Sequence, residues 1–304
     1  VALAVLAAAV LALAAVWYVR GREPAAGQVA ASATPRSSST AVAAPHSSAS
    51  PSASSSSQPQ TSGLPPRPHI VAGAQPVPIL VYHRIETKPA GPPLVEMSTR
   101  LFTKQMDWLA RNGYQAVTLR RVYDAWTGDA VLPPKPVVLT FDDGYADQVR
   151  NAAPVLRRYH WPAELDLVSS ALYTGDSPPA TSLTPEMVQG LLDDGWGLES
   201  HSVSHLDLTR LWGKKLHREL VDSRTSLEDR FDVKVDFFCF PGGIYNKRVK
   251  LAVRRAGYLA ATGTRYGAAT PRDLFSLGRI YAYGGETMAS FGSRLDDILA
   301  AEQN

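Results

Sequence analysis

The sequence predicts an α/β fold closed into a barrel. Two observations carry this. From about residue 76 onward, short apolar runs alternate with helical patterns, the signature of a parallel sheet wrapped by helices. The alternation also repeats seven or eight times, which suits a (β/α) barrel better than an open sheet. A chain of 304 residues, 45% of them hydrophobic, holds one domain of about 200–250 residues and further segments besides.

The strands expected are Ile79–His83, Ala116–Leu119, Val137–Phe141, Ala163–Val168, Gly197–Ser200, Val235–Phe240, Tyr258–Thr262 and Leu277–Tyr281. Each is a short apolar run, too short for a helix. Between them the 3.6-residue pattern predicts helices over Phe102–Arg111, Ala146–Tyr159, Pro185–Asp194, Lys214–Phe231 and Lys247–Ala256. Thr184 before Pro185 reads as a helix cap followed by proline at the first helical position. Gly113 and Gly257 read as C-terminal stops.

Two segments precede this domain. Residues 1–20 open with nineteen uncharged, proline-free residues ending in Trp17 and Tyr18. A run of about 20 apolar residues spans a bilayer as a helix, with aromatics at the interface, so a membrane anchor or signal segment is expected. Residues 21–75 are dominated by Ser, Ala, Pro and Thr, and have too few large apolar side chains to offset the entropy of ordering. They read as a flexible linker, with His46 and His69 incidental. Arg20 and Arg22 alone would hold the downstream side in the cytoplasm. The anchor-and-tether organisation favours a catalytic domain, residues 76–304, held outside it.

Net charge is +3, from 31 basic and 28 acidic residues without long runs of one sign, and no nucleic-acid partner is expected. The single cysteine, Cys239, excludes an internal disulfide and a cysteine-rich zinc site. It reads as a small buried hydrophobe.

The chemistry is concentrated in two places. Val137–Tyr145 (VVLTFDDGY) runs a fully apolar strand into Asp142 and Asp143. Functional groups collect at the C-terminal ends of barrel strands, and adjacent side chains point in different directions. One carboxylate can therefore face a metal while the other faces water or substrate, although DDG is also ordinary turn chemistry. Gly197–His205 (GLESHSVSH) places His201 and His205 after another strand. A helical turn there would bring both imidazoles to one face. Two imidazoles and one carboxylate form a three-ligand set with a position left open, the pattern of a catalytic zinc centre.

TFDDG (Thr140–Gly144), HSVSH (His201–His205) and FPGG (Phe240–Gly243) resemble, in that order, motifs of the polysaccharide deacetylase family with its NodB-homology domain, carbohydrate esterase family 4. The likeness extends through Pro76–Ile85, Leu132–Tyr145 and Ala256–Tyr258 and covers essentially all of residues 76–304. The subgroup most resembled deacetylates poly-N-acetylglucosamine. The resemblance implies a distorted (β/α) barrel. It implies that Asp143, His201 and His205 hold one divalent metal, with zinc expected and cobalt, nickel or iron as alternatives. It makes Asp142 the general base and the N–H of Gly242, after Pro241, an oxyanion donor, with Tyr145 among the substrate contacts.

The sequence departs from the family in two places. Cys239 stands where an arginine usually orients the base, and Arg279 is the candidate to supply that guanidinium. The late leucine–histidine motif is missing, since no histidine follows His217, and His83 is the candidate acid. His160 and His217 are expected to face solvent. Glu164 and Asp166 are unusual on a barrel strand, and the sequence alone leaves them lining the pocket or paired with basic neighbours. The activity implied is hydrolysis of N-acetyl groups on an acetylated polysaccharide. An O-acetyl esterase of the xylan type and an inactive glycan-binding domain are the alternatives.

Overall fold

A computed structural model describes Leu64 and residues 67–303. The expected membrane segment and nearly all of the expected linker lie outside the described residues. Among those described, no helix is long and apolar enough to cross a membrane.

The strands are β1 (Ile79–Tyr82), β2 (Arg84–Glu86), β3 (Glu96–Ser98), β4 (Gln115–Ala116), β5 (Pro136–Asp143), β6 (Glu164–Leu167), β7 (Gly197–Ser200), β8 (Phe237–Cys239), β9 (Ala260–Tyr266) and β10 (Leu277–Tyr281). Seven of them close a parallel ring in the order β1-β10-β9-β8-β7-β6-β5, with β5 returning to pair with β1. The distorted barrel is therefore present. β4 is a short addition to the start of β5, and β2 and β3 form a separate parallel pair.

Alternation along each strand sorts the side chains. Leu80, Tyr82, Leu139, Phe141, Leu165, Leu198, Phe238 and Ile280 join one buried cluster with the helices outside the barrel. A second cluster, including Ile79, Val138, Phe237, Ala260 and Leu277, fills the lumen's lower end. It is closed by helix α2 (Leu119–Thr127), through Leu119, Val122 and Trp126. The middle of the lumen is polar. Arg279 on β10 reaches Thr140 and Asp142 on β5 and Asp166 on β6, contacts that only a shared interior allows.

Several expectations shift. Ala116–Leu119 is not one strand: Thr118 accepts a hydrogen bond from the Arg121 N–H, caps a helix, and ends β4 at Ala116. The helix preceding it, α1 (Thr99–Arg111), begins three residues earlier than expected because the Ser98 side chain caps it. The C-terminal helix, Met288–Gln303, has a weakly amphipathic, Gly- and Ser-containing sequence and was not predicted. Residues 70–75, expected in the linker, are attached to the barrel bottom. The Val71 N–H donates to the Trp126 carbonyl, Trp126 Nε1 donates to the Gln75 carbonyl, and Ile70 and Ala74 pack beside Trp126's cluster. The Thr184–Pro185 start and the left-handed stops at Gly113 and Gly257 are present. His69, His160 and His217 are exposed.

Candidate metal centre and catalytic site

Asp142 and Asp143 end β5, and His201 follows β7 directly, so all three emerge at the C-terminal rim of the ring. Asp143 Oδ1 lies 3.6 Å from His201 Nε2 and 3.5 Å from His205 Nε2. Zinc bonds of about 2.0–2.2 Å at tetrahedral angles separate ligand atoms by about 3.3–3.6 Å. Both separations fit donors to one ion, and all three ligand atoms lie within 4.8 Å of one another.

The tautomer of His201 fits as well. Its Nδ1 sits 2.8 Å from the Cys239 carbonyl and must donate to it, which leaves the Nε2 lone pair free. Burial, and next the adjacent His205, lower the pKa of His201 to about 4, so the ring is neutral as a ligand must be. Asp142, His201 and Cys239 form a second close set. It is the poorer one: burial pushes the Cys239 thiol up, and Asp142 is already engaged.

The loop joining the two histidines is not the helical turn the sequence suggested. Ser202 (φ 69°) and His205 (φ 54°) are left-handed, and these two reversals bring the rings together. Such backbone needs support. Ser202 Oγ accepts from the His205 N–H at 2.9 Å. Glu219, buried on a π-turn over Arg218–Asp222, accepts from the N–H groups of Val203 (3.0 Å) and Ser204 (2.9 Å) and from the Ser204 hydroxyl (2.7 Å). A second π-turn, Gln148–Ala152, does similar work on the other side. Gln148 Nε2 donates to the carbonyls of His83 (2.8 Å) and Asp142 (2.7 Å), tying the ends of β1 and β5. Neither Glu219 nor Gln148 was singled out from sequence. A polar residue inside a helical pattern carries no signal that it faces inward.

Asp142 is held differently. Arg279 grips both its oxygens, Nη1 to Oδ1 at 2.8 Å and Nη2 to Oδ2 at 2.9 Å, and both side chains are almost wholly buried. The guanidinium that meets Asp142 therefore comes from Arg279 on β10, while Cys239 Sγ lies 3.8 Å from Asp142 Oδ2. Arg279 Nε donates to the Gly263 carbonyl at 3.1 Å, and Nη1 also approaches Asp166 Oδ2 at 3.3 Å. Burial alone would raise the Asp142 pKa. Arg279, then His83 and His201, outweigh it and hold the carboxyl well below the usual range. Asp166 goes the other way: burial, then the Asp142 charge, push its carboxyl far up, so it keeps its proton.

His83 follows β1, with Nε2 3.9 Å from Asp142 Oδ2 and its ring nearly parallel to Tyr281. Its Nδ1 is buried without a hydrogen-bond partner among the described residues. Pro241 is buried after β8. Gly242 (φ 58°) and Gly243 (φ 63°) are both left-handed. Close approach constrains Gly243, where an added Cβ would lie 1.8 Å from Thr264 Cγ2, rather than Gly242, where the nearest atom is 3.5 Å away. Tyr145 bridges to Ser182 and carries the Arg84 guanidinium 5.2 Å from its ring centre. Glu164 and Asp166 both line the lumen, and only Asp166 meets a cation, Arg279.

The polysaccharide deacetylase family model matches residues 129–261, which include both the TFDDG and the HSVSH segments. YxkH of Bacillus subtilis strain 168, whose name assigns it to the polysaccharide deacetylases, is 28% identical over 223 residues, 73% of this chain and 77% of that protein. The poly-β-1,6-N-acetyl-D-glucosamine N-deacetylase of Escherichia coli K12 is 35% identical over 112 residues, which span 35% of this chain and 17% of that protein. Among solved structures, the Streptococcus pyogenes deacetylase PplD superposes with a TM-score of 0.66 at 25% identity, covering 72% of this chain and 98% of that one. BC0361, a polysaccharide deacetylase from Bacillus cereus, gives 0.63 at 25% identity, covering 73% and 69%. Residues 129–261 thus match the polysaccharide deacetylase family, and the barrel as a whole is similar to proteins that carry that name.

Proposed function

We propose that this chain is a metal-dependent N-deacetylase acting on a polymer that contains N-acetylglucosamine. The observation that carries this reading is the three-donor set of Asp143, His201 and His205 beside an Asp142 that is ionised but not a ligand. The 35% identity with an N-acetylglucosamine-polymer deacetylase supports the amide-linked substrate.

Asp143, His201 and His205 would hold a divalent ion, with zinc fitting their nitrogen and oxygen donors, and that ion would supply polarisation of the acetyl carbonyl and a more acidic water. The chain's own residues do the rest. Asp142 takes the proton of the attacking water, and Arg279 fixes its orientation. The Gly242 N–H supplies an oxyanion contact. His83 gives a proton to the departing amine nitrogen, which cannot leave as an anion. Asp142 enters as a carboxylate, and the proton it gains balances the one His83 donates.

The apolar run of residues 1–19 and the Ser/Pro-rich stretch after it support a domain anchored or exported beyond the cytoplasm, where such polymers are met. The test is acetate release from acetylated N-acetylglucosamine oligomers before and after exhaustive chelation, with zinc, cobalt and nickel restored separately. Loss on chelation and recovery with an ion are expected. Full activity in the chelated protein would remove the metal from the mechanism, and release from acetyl-xylan alone would replace the substrate class.

A further inference from the structure

Large apolar side chains are seldom left exposed without a use when they gather at one place. Of the six exposed among the described residues, three, Leu206, Trp212 and Ile244, come from just two loops. One loop follows β7 and carries His205, and the other follows β8 and carries Gly242. Both lead into helices that begin at the C-terminal rim of the barrel, the end where a barrel enzyme meets its substrate.

Trp212 is the most built of the three. It is 67% exposed, yet it is not loose. Arg248, in the first turn of helix Lys247–Arg255, lays its guanidinium 3.7 Å from the ring centre. That guanidinium is fixed in turn. Nη1 donates to the Leu211 carbonyl at 2.9 Å, and Nη2 donates to the carbonyls of Thr209 at 3.0 Å and Leu208 at 3.4 Å. The cation therefore backs one face of the indole and leaves the other face to solvent.

A flat, electron-rich surface with one fixed and one open face suits the C–H face of a pyranose ring. Arg210, Lys214 and Lys215 are exposed on either side of Trp212 in the chain and offer donors for sugar hydroxyls and acetamido oxygens. The same charges break up the apolar surface, which disfavours a protein partner that needs a continuous patch.

We propose that Trp212 is a stacking subsite for a sugar ring of the substrate polymer, beyond the residue being deacetylated. This rests on the glycan-polymer reading of the site. It predicts that affinity depends on chain length through Trp212, because only a chain long enough to span from the metal to the indole gains the contact.

The experiment compares wild type, Trp212→Ala and Trp212→Tyr in the full chain loaded with zinc, on N-acetylglucosamine oligomers of two to six sugars. For the hexamer, Trp212→Ala is expected to raise KM about tenfold, near 1.4 kcal/mol, with a much smaller effect on kcat. The KM ratio should shrink as the oligomer shortens, and Trp212→Tyr should recover most of the loss. A ratio that is the same at every length would overturn the subsite. So would weaker binding of Trp212→Ala to anionic lipid vesicles with oligomer KM unmoved, which would assign the indole to a membrane surface. If wild type releases no acetate from any oligomer, the deacetylase reading itself fails. Direct calorimetric binding of the same hexamer then decides the subsite: weaker binding by Trp212→Ala sustains it, and equal binding or none ends it.

Discussion

The two halves of the site are built on opposite principles. The metal-ligand half, Asp143, His201 and His205, is partly open and is held by hydrogen bonds to backbone. Glu219 and Ser202 grip the connecting loop, and the Cys239 carbonyl grips a ring. The base half, Asp142, Arg279 and Asp166, is sealed in the lumen and is held by charge. Two carboxyls share one guanidinium there, so one stays ionised and the other keeps a proton. The first arrangement fixes positions and leaves valences free for an ion. The second fixes a protonation state. The metal hydrolase proposed above would need both, each from a separate layer.

The comparison breaks most visibly at Arg279. Arg279→Ala leaves the buried Asp142 charge without its partner, and removing one member of such a pair costs about 3–5 kcal/mol. Urea unfolding should show that loss, together with deacetylase activity near background. Arg279→Lys keeps the charge but not the two-pronged grip, so it should recover more stability than turnover. A wild-type unfolding midpoint in Arg279→Ala would show that the base half is not held by charge.

His83 stands at the border of the two halves. As the proton donor, its loss should lower turnover on N-acetyl substrates by roughly 10²–10⁴-fold. An activated acetyl ester, whose leaving group needs no proton, should suffer much less. Equal losses on both substrates would make His83 a support for the fold.

Residues that do chemistry were legible when they were neighbours in the chain. Asp142–Asp143 and His201–His205 each sit at a strand end, and their types are those of a metal-ligand set. Arg279 was legible only through the family resemblance, which expects an arginine where Cys239 stands. The supporting layer was not legible. Gln148 and Glu219 lie in helical stretches where polar residues ordinarily face water, and the π-turns that swing them inward have no sequence signature. The left-handed residues Ser202 and His205 were equally hidden, since neither is a glycine. The barrel itself followed from the alternation of strands and helices. Helix Leu119–Thr127 was lost because Leu119 extends an apolar run that reads as a strand, until Thr118 caps it.

The metal half is probed at Glu219. Glu219→Ala frees the Val203 and Ser204 N–H groups and lets the histidine loop relax. Groups that orient metal ligands are commonly worth about 10–100-fold in metal affinity, and a zinc titration of the apo protein should show a loss of that size. Glu219→Gln keeps an oxygen acceptor and should recover part of it. Unchanged affinity in a folded Glu219→Ala protein would mean that the Ser202 contact suffices.

The last prediction tests how far down the barrel charge is compensated. Glu164 lies below Asp166 on the lumen face of β6, almost wholly buried. Its Oε1 accepts the Leu119 N–H at the start of α2, and its Oε2 has no hydrogen-bond partner among the described residues. The opposing residue is Gly197, where an added Cβ would lie 1.8 Å from Oε2, so the glycine makes the room. Burial pushes the carboxyl up to about 8, against a smaller downward pull from the Leu119 N–H. The consequence for stability follows from the sign. In the unfolded chain this group ionises near pH 4.5, so between that and about 8 the unfolded state alone has lost the proton. The stability it contributes is complete below the lower value, falls as pH rises, and is gone above the upper. Glu164→Gln cannot ionise and keeps an acceptor for the Leu119 N–H. Asp166 and Glu199, also pushed up by burial, impose the same falling trend on both proteins. The difference between the two urea-unfolding series therefore isolates Glu164. It should be small near pH 5 and grow in favour of the variant toward about pH 8. Parallel curves across that window would mean that Glu164 is ionised in the folded barrel and that a cation or water reaches it there.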